Sequence, residues 1–326
     1  MIALFLKPIT KPRKLLKYEA LLRRLIQIHS AKTIIVPEYN RLHAGFKGEK
    51  KLEYYLHLLQ RPDYHIIHNL RLESGPYFFQ IDLLLVSPKL IIILEVKNLS
   101  GKIVIDPPLQ QVIQTTPSGE KRTYTDFILQ AKSQQEQLIR WIKAHKLASL
   151  PVEYLVIMVN ERSQVEFSPP KPPRAYESII RPGLMSAKIS SFEKSYNTEV
   201  FPKKDVKKLS RKMINKDASD DLDLLDRFHI TEADLMKGFH CEHCGYIPLV
   251  KNGNRWICQK CHLQTENPAL LTLKDYALLL GPSITNQEFR HFAKVHSTDT
   301  AKRLLQAQNL PHIGTNRGRV YNLHNL

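Results

Sequence analysis

The chain has 326 residues, 43% of them hydrophobic, and a formal net charge of +17 from 48 Lys and Arg against 31 Asp and Glu. This length suggests two or three domains, and the apolar fraction is enough to bury their cores. No apolar run reaches the roughly 18 residues that a membrane span needs. The apolar start, Met1–Leu6, is too short for a signal-peptide core, and its basic neighbours Lys7, Lys11, Arg13 and Lys14 follow it rather than precede it. A cytoplasmic protein is therefore expected. The positive charge favours polyanions, because each Lys or Arg that meets a phosphate releases counterions. No basic amphipathic segment of the kind that lies on a membrane stands out.

In chain order, residues 15–29 carry a helical apolar stripe at Leu22, Leu25 and Ile26. A loop containing Pro37 is expected next. Residues 44–60 return to helical spacing, with Leu52, Tyr55, Leu56 and Leu59 on one face. The period then changes. Tyr64–Leu72, Phe78–Val86 and Leu90–Leu99 read as strands, the last two joined by a tight turn at Ser87-Pro88-Lys89. Residues 100–125 suggest small hairpins, with Ser118-Gly119 at one turn. Residues 127–146 read as a helix through Ala131, Leu138, Trp141 and Ile142, and Val152–Val159 as another buried strand. Strands, a long helix and a further strand predict a mixed sheet with a crossover helix. Ser168–Pro173 is proline-rich and marks a boundary. Residues 203–212 hold six basic residues, the expected basic face of one helix.

The informative charges are those in apolar runs. Asp82 lies within Phe78–Val86, and Glu95 and Lys97 end the run Leu90–Lys97. Strands this apolar are usually covered on both faces, where an ionised carboxylate needs a partner, a metal or a proton. Alternation puts Glu95 and Lys97 on one face, and a tight hairpin sets Asp82 roughly opposite residues 94–95. A divalent cation between the two acids reverses their repulsion, and hard oxygens suit magnesium or manganese. Glu49 is a third acid, turned toward the sheet by its helix. Ordinary alternatives are a helix-dipole role for Glu49 and a surface ion pair of Glu95 with Lys97.

The ordered set Gly45-Phe-Lys-Gly-Glu49, Phe79-Gln-Ile-Asp82 and Leu94-Glu-Val-Lys-Asn98, with Gly101, resembles the successive motifs of the NERD (nuclease-related domain) family. That family is similar to the PD-(D/E)XK nucleases, with a restriction-endonuclease-like α/β core of mixed sheet flanked by helices. The resemblance covers roughly residues 40–160. It implies Glu49 as the helix acid, Asp82 and Glu95 as magnesium ligands, and Lys97 as the catalytic lysine. Gln130 matches a glutamine on the following helix, although Asp126-Phe127 stands where such proteins often carry Asn-Pro.

Cys241-Glu-His-Cys244 and Cys258-Gln-Lys-Cys261 are two Cys-x-x-Cys pairs around a hairpin-like segment with Asn252-Gly253-Asn254 at its middle. Four thiolates at this spacing predict a structural zinc ribbon, with an iron–sulfur cluster as the lesser alternative. Beyond it, Thr285-Asn-Gln-Glu288 is a capping box, and Ser297 caps a second short helix. A basic hairpin around Gly318 follows. This order resembles a winged helix-turn-helix, with Arg317 and Arg319 as phosphate contacts and Tyr321 free to stack or to pack. The alternative is a small helical cap.

The expected organisation is a helical extension (1–38), a nuclease-like domain (39–165), a proline-rich and basic connector (166–236), a zinc ribbon (237–266) and a C-terminal helical domain (267–326). The expected function is metal-dependent phosphodiester hydrolysis on DNA. The competing reading is a DNA-binding or regulatory protein that keeps the fold with little or no cleavage.

Overall fold

A computed structural model describes residues 4–59, 61–147, 150–170, 172–218, 220–315, 318–324 and 326. Its elements are β1 (Leu4–Lys7), α1 (Arg13–Arg24), α2 (Lys32–His57), β2 (His65–Ser74), β3 (Tyr77–Val86), β4 (Ile91–Lys97), β5 (Gly101–Asp106), β6 (Gln111–Thr115), β7 (Lys121–Thr125), α3 (Phe127–Ala144), β8 (Val152–Met158), β9 (Ser163–Phe167) and β10 (Ile179–Ile180). They continue with α4 (Met185–Ser195), α5 (Lys203–Asn215), α6 (Leu224–Arg227), β11 (Val250–Asn252), β12 (Arg255–Ile257), β13 (Gln264–Thr265), α7 (Ala269–Leu279), β14 (Ser283–Thr285), α8 (Asn286–Ala293), α9 (Thr298–Gln306), β15 (His312–Ile313) and β16 (Val320–Asn322). The chain divides into two compact units, residues 1–12 with 42–220, and residues 13–41 with 221–326.

One expectation fails between α1 and β2. Pro37 sits inside α2, which starts at Lys32, and not in a loop. The physical reason is position. As the sixth residue of a 26-residue helix, Pro37 forgoes one backbone bond, to the Thr33 carbonyl, and the rest of the ladder carries the helix on to His57.

In the first unit, a six-stranded sheet has the order β1-β2-β3-β4-β8-β10. β2, β3 and β4 form an antiparallel meander, while β8 runs parallel to β4 after the α3 crossover. This is the mixed sheet that the alternation of strands and helix predicts. The near-continuous apolar runs of β4 and β8 follow from cover on both faces. One face packs on α3 and α5, through Leu138, Trp141, Val206 and Leu209 among others. The other packs on α2 and α4, through Leu52, Leu56, Met185 and Ile189. The two edge strands, β1 and β10, were not foreseen from the sequence. The segment 101–125 forms β5, β6 and β7, which join β9 in a second sheet. Gly101 is required there. Its φ is +82°, and a Cβ would lie 2.2 Å from the Thr115 carbonyl oxygen.

In the second unit, the two cysteine pairs flank the β11–β12 hairpin, extended by β13. The C-terminal segment runs helix, strand, helix, helix and then a strand hairpin, with sheet order β14-β16-β15. Its three short strands make this segment mixed rather than all-helical. The Thr285–Glu288 capping box and the Ser297 cap both form. Tyr321 is buried and packs in the core. Arg317 lies outside the described residues. The cysteine-bearing segment and the C-terminal helices share one apolar cluster, in which Cys241, Cys258 and Trp256 meet Phe289, Phe292 and Leu305. The fully buried Arg24 of α1 pins this unit: its guanidinium bonds Asp275 of α7 at 2.8 Å and the Gly238 carbonyl at 2.8 Å.

Candidate active site and cysteine cluster

The acidic site arises where β3 and β4 part. Their antiparallel register ends at Leu83↔Leu94, while β4 continues beside β8 to Lys97↔Met158. Beyond Leu94, the Val96 N–H loses its ladder partner on the β3 side, and the Asp82 carboxylate accepts it at 2.9 Å. A buried donor is thereby satisfied by a side chain.

The same level carries a break in strand alternation. Ile81 and Leu84 face one layer, and so do Ile67 and Leu70, although an odd spacing should reverse them. The flanking pairs His68↔Leu83 and Leu70↔Ile81 place Asn69 and Asp82 opposite each other at the break. Asn69 has a φ of +48°, a left-handed value that Asn tolerates better than most residues. Asp82 thus stands at the flip between the two faces of the sheet.

Glu95 is 2% exposed and faces α3. Lys97 Nζ donates to Glu95 Oε1 at 2.7 Å and to Gln130 Oε1 at 2.8 Å. Gln130 Nε2 returns a bond to Glu95 Oε1 at 2.7 Å, and Gln134 Nε2 donates to Glu95 Oε2 at 2.7 Å. Lys97 also lies 4.8 Å over the Phe127 ring. The surface ion pair considered from sequence is excluded by this burial. Gln130 is brought into the cluster although Asp126, not Asn-Pro, precedes the helix. Asp126 caps α3 by accepting the Ile128 and Leu129 N–H groups.

Glu49 approaches from the opposite face, on α2, and Nε2 of the buried His68 lies 2.6 Å from its Oε2. Gly48 makes the approach possible, since a Cβ there would stand 2.7 Å from Asn98 Cβ and 3.1 Å from Val159 Cγ2. Burial pushes the Asp82 carboxyl well above the usual carboxylate range, and Glu95 and then Glu49 push it further. The Val96 N–H and Lys97 act the other way but do not offset this. Three acids therefore share one field. They do not all meet within 4.8 Å: among the described residues, the four cysteines are the one group of three or more such ligands that does. His68 and Gln134 were missed from sequence. Gln134 was detectable, because it follows Gln130 by one helical turn on the same face. Nothing in the sequence singles out His68.

In the ribbon, Cys241 and Cys261 Sγ lie 3.5 Å apart, and Cys244 and Cys258 Sγ 3.6 Å. Zinc–sulfur bonds of about 2.3 Å in a tetrahedron put sulfurs roughly 3.8 Å apart, so the quartet fits a structural zinc. The Lys260 N–H points at Cys258 Sγ from 3.4 Å. Arg319, just before β16, is half-buried.

A covered mixed sheet, a crossover helix and an acid–lysine–glutamine cluster where two strands part define a nuclease-like α/β domain. Residues 44–159 match the family model of the nuclease-related domain, so this stretch of the chain is a nuclease-related domain. No curated protein and no solved structure matches the chain. Among the described residues, no helix is long and apolar enough to cross a membrane.

Proposed function

We propose that this protein is a metal-dependent nuclease that hydrolyses phosphodiester bonds in DNA. The observation that carries the reading is the Glu95–Lys97–Gln130 network at 2.7–2.8 Å, beside an Asp82 carboxylate that two other acids crowd. Crowded carboxylates, of which Asp82 has a raised proton affinity, are a donor set suited to a hard cation. Asp82 and Glu95 would hold magnesium or manganese. Such an ion supplies Lewis acidity toward the scissile phosphate.

The chain's own residues do the rest. An ammonium has three N–H donors, and Lys97 spends two on Glu95 and Gln130. The third serves a phosphoryl oxygen and stabilises the charge that grows there in the transition state. Gln130 and Gln134 fix the Glu95 carboxylate, so that no reorganisation is needed during reaction. Glu49, oriented by His68, adds negative potential from the α2 side and positions no substrate itself. The zinc ribbon and the winged helix, with Arg317 and Arg319 as phosphate contacts, supply nucleic-acid binding in the second unit.

The test is cleavage of plasmid and oligonucleotide DNA with magnesium, with manganese or with chelator. Cleavage is expected with metal only, and is expected to disappear in Glu95→Ala and Lys97→Ala proteins. Binding without cleavage in either metal, or equal cleavage by the variants, would overturn the reading in favour of a binding protein.

A further inference from the structure

α5 carries an exposed basic face outside the Asp82–Glu95 site. Its sequence, Lys203-Lys-Asp-Val-Lys-Lys-Leu-Ser-Arg-Lys-Met-Ile-Asn215, carries six basic residues and one acid. Val206, Leu209 and Met213 are buried against the α3 side of the sheet. Ser210 Oγ lies 3.1 Å from His65 Nδ1 of β2. Every third or fourth residue on the outward face is then basic: Lys204, Lys207, Lys208, Arg211, Lys212 and Lys216 line one shallow groove. Lys203 is paired with Asp63, and Lys212 donates to the His145 carbonyl. Among the described residues, Lys204, Lys207, Lys208 and Arg211 are exposed and have no ion-pair partner. Like charges at helical i, i+4 spacing repel. This stripe is therefore kept at a cost in stability that an anionic partner would remove.

The stripe also has a direction. At its start, the Phe201 N–H bonds the Pro88 carbonyl of the β3–β4 turn. At its end, the Ala218 N–H bonds the Arg71 carbonyl, and Asp217 accepts the Arg71 N–H and the Lys7 ammonium. Arg71 stands two residues from Asn69, the position opposite Asp82. The basic face thus runs along β2 from the turn end of the sheet to the level of the candidate site.

We infer that the exposed face of α5 binds the sugar–phosphate backbone of duplex DNA and leads it toward the Asp82–Glu95 site. This rests on the reading of the protein as one that acts on DNA. Three features select that occupant. The apolar face of α5 is spent in the protein core, so nothing remains to insert into a lipid surface. The stripe holds no aromatic residue, the platform on which single strands stack. From residue 204 to residue 216 it spans about 18 Å at 1.5 Å per residue, a straight row suited to a stiff duplex. Contacts of this kind carry no base readout, so binding through α5 is independent of sequence.

The experiment uses the full chain with zinc retained and magnesium withheld, so that binding is read without cleavage. Fluorescence anisotropy on a 20-base-pair duplex is measured over a range of salt for wild type and for Lys204→Gln/Lys207→Gln/Lys208→Gln/Arg211→Gln. The variant is expected to bind about tenfold or more weaker, with the slope of log K against log salt shallower by about 2 to 4 at roughly 0.9 per lost phosphate contact. A second duplex of unrelated sequence should show the same loss, and Lys204→Arg/Lys207→Arg/Lys208→Arg should keep the wild-type slope. Identical affinity and slope in wild type and the glutamine variant overturn the inference. So does loss of binding to phosphatidylserine vesicles with DNA binding unchanged. The two readings fail separately: wild type that cleaves with magnesium but binds no tighter than the glutamine variant overturns the role of α5 alone, and wild type that binds more tightly than that variant but cleaves with neither metal overturns the nuclease reading alone.

Discussion

The carboxylate of Asp82 accepts the backbone N–H of Val96 at 2.9 Å, so a side chain closes the sheet ladder at the level where β3 and β4 part. This bond places an acid in line with the strand that carries Glu95 and Lys97. It also gives the buried carboxyl one polar partner in an otherwise apolar run. The opening between two central strands coincides with the break in alternation at Asn69 and Asp82.

If Lys97 stabilises developing charge, Lys97→Met and Glu95→Gln should each lower the single-turnover cleavage rate by about 10²–10³, the usual cost of one preorganised electrostatic contact. Duplex binding should change little. A rate within a few-fold of wild type for either variant contradicts the assignment.

Gln134 holds both Glu95 Oε2 and the Gln80 carbonyl, and it is 7% exposed. Gln134→Leu should therefore cost about 1–3 kcal/mol in urea unfolding, the penalty for buried acceptors left unpaired. Cleavage should fall by about tenfold or more, as for other residues that orient a ligand. Unchanged stability and unchanged rate together would remove Gln134 from the network.

Metal analysis of the purified protein should find about one zinc per chain, as four protein thiolates close a structural site. Because Cys241 and Cys258 belong to the cluster that contains Trp256 and Phe292, zinc removal should loosen the C-terminal helices as well. In a Trp141→Phe background, Trp256 emission should shift to the red on strong chelation or in Cys258→Ser protein. An unmoved spectrum would show that the core stands without the metal.

His65 tests the field of α5. Burial first, and then Lys207, hold its imidazole below the ordinary value of 6.5. A depressed folded-state pKa means that the unfolded chain takes the proton first as pH falls. The stabilising contribution is thus complete above about 6.5 and is lost as pH drops from there through the folded value. An NMR titration should place His65 below 6.5, and Lys207→Gln should move it upward. A titration that ignores the substitution would show that Lys207 exerts no field on β2.

Much of this was legible in the sequence, for reasons that are local. The Cys-x-x-Cys spacing fixes how four sulfurs approach one point. The Thr285–Glu288 capping box needs only four consecutive residues. The runs at β3 and β4, with a short turn between them, dictate a hairpin and so bring Asp82 near Glu95. The one clear failure, the loop expected at Pro37, came from reading proline as a stop without knowing where the helix began.

What only tertiary structure decided is which distant groups meet. His68 faces Glu49 because Asn69 takes a left-handed backbone angle and turns two strands over together, a reversal that no alternation rule contains. The Lys97 ammonium finds Gln130 because α3 crosses the sheet at one angle rather than another. Sequence alone set the central strands, the crossover helix, the cysteine quartet and the order of the acids, since those depend on neighbours within a few residues. The network of Glu95, Lys97, Gln130 and Gln134, and the pairing of Glu49 with His68, depend on packing between segments up to 39 residues apart, where only burial against a common sheet fixes position.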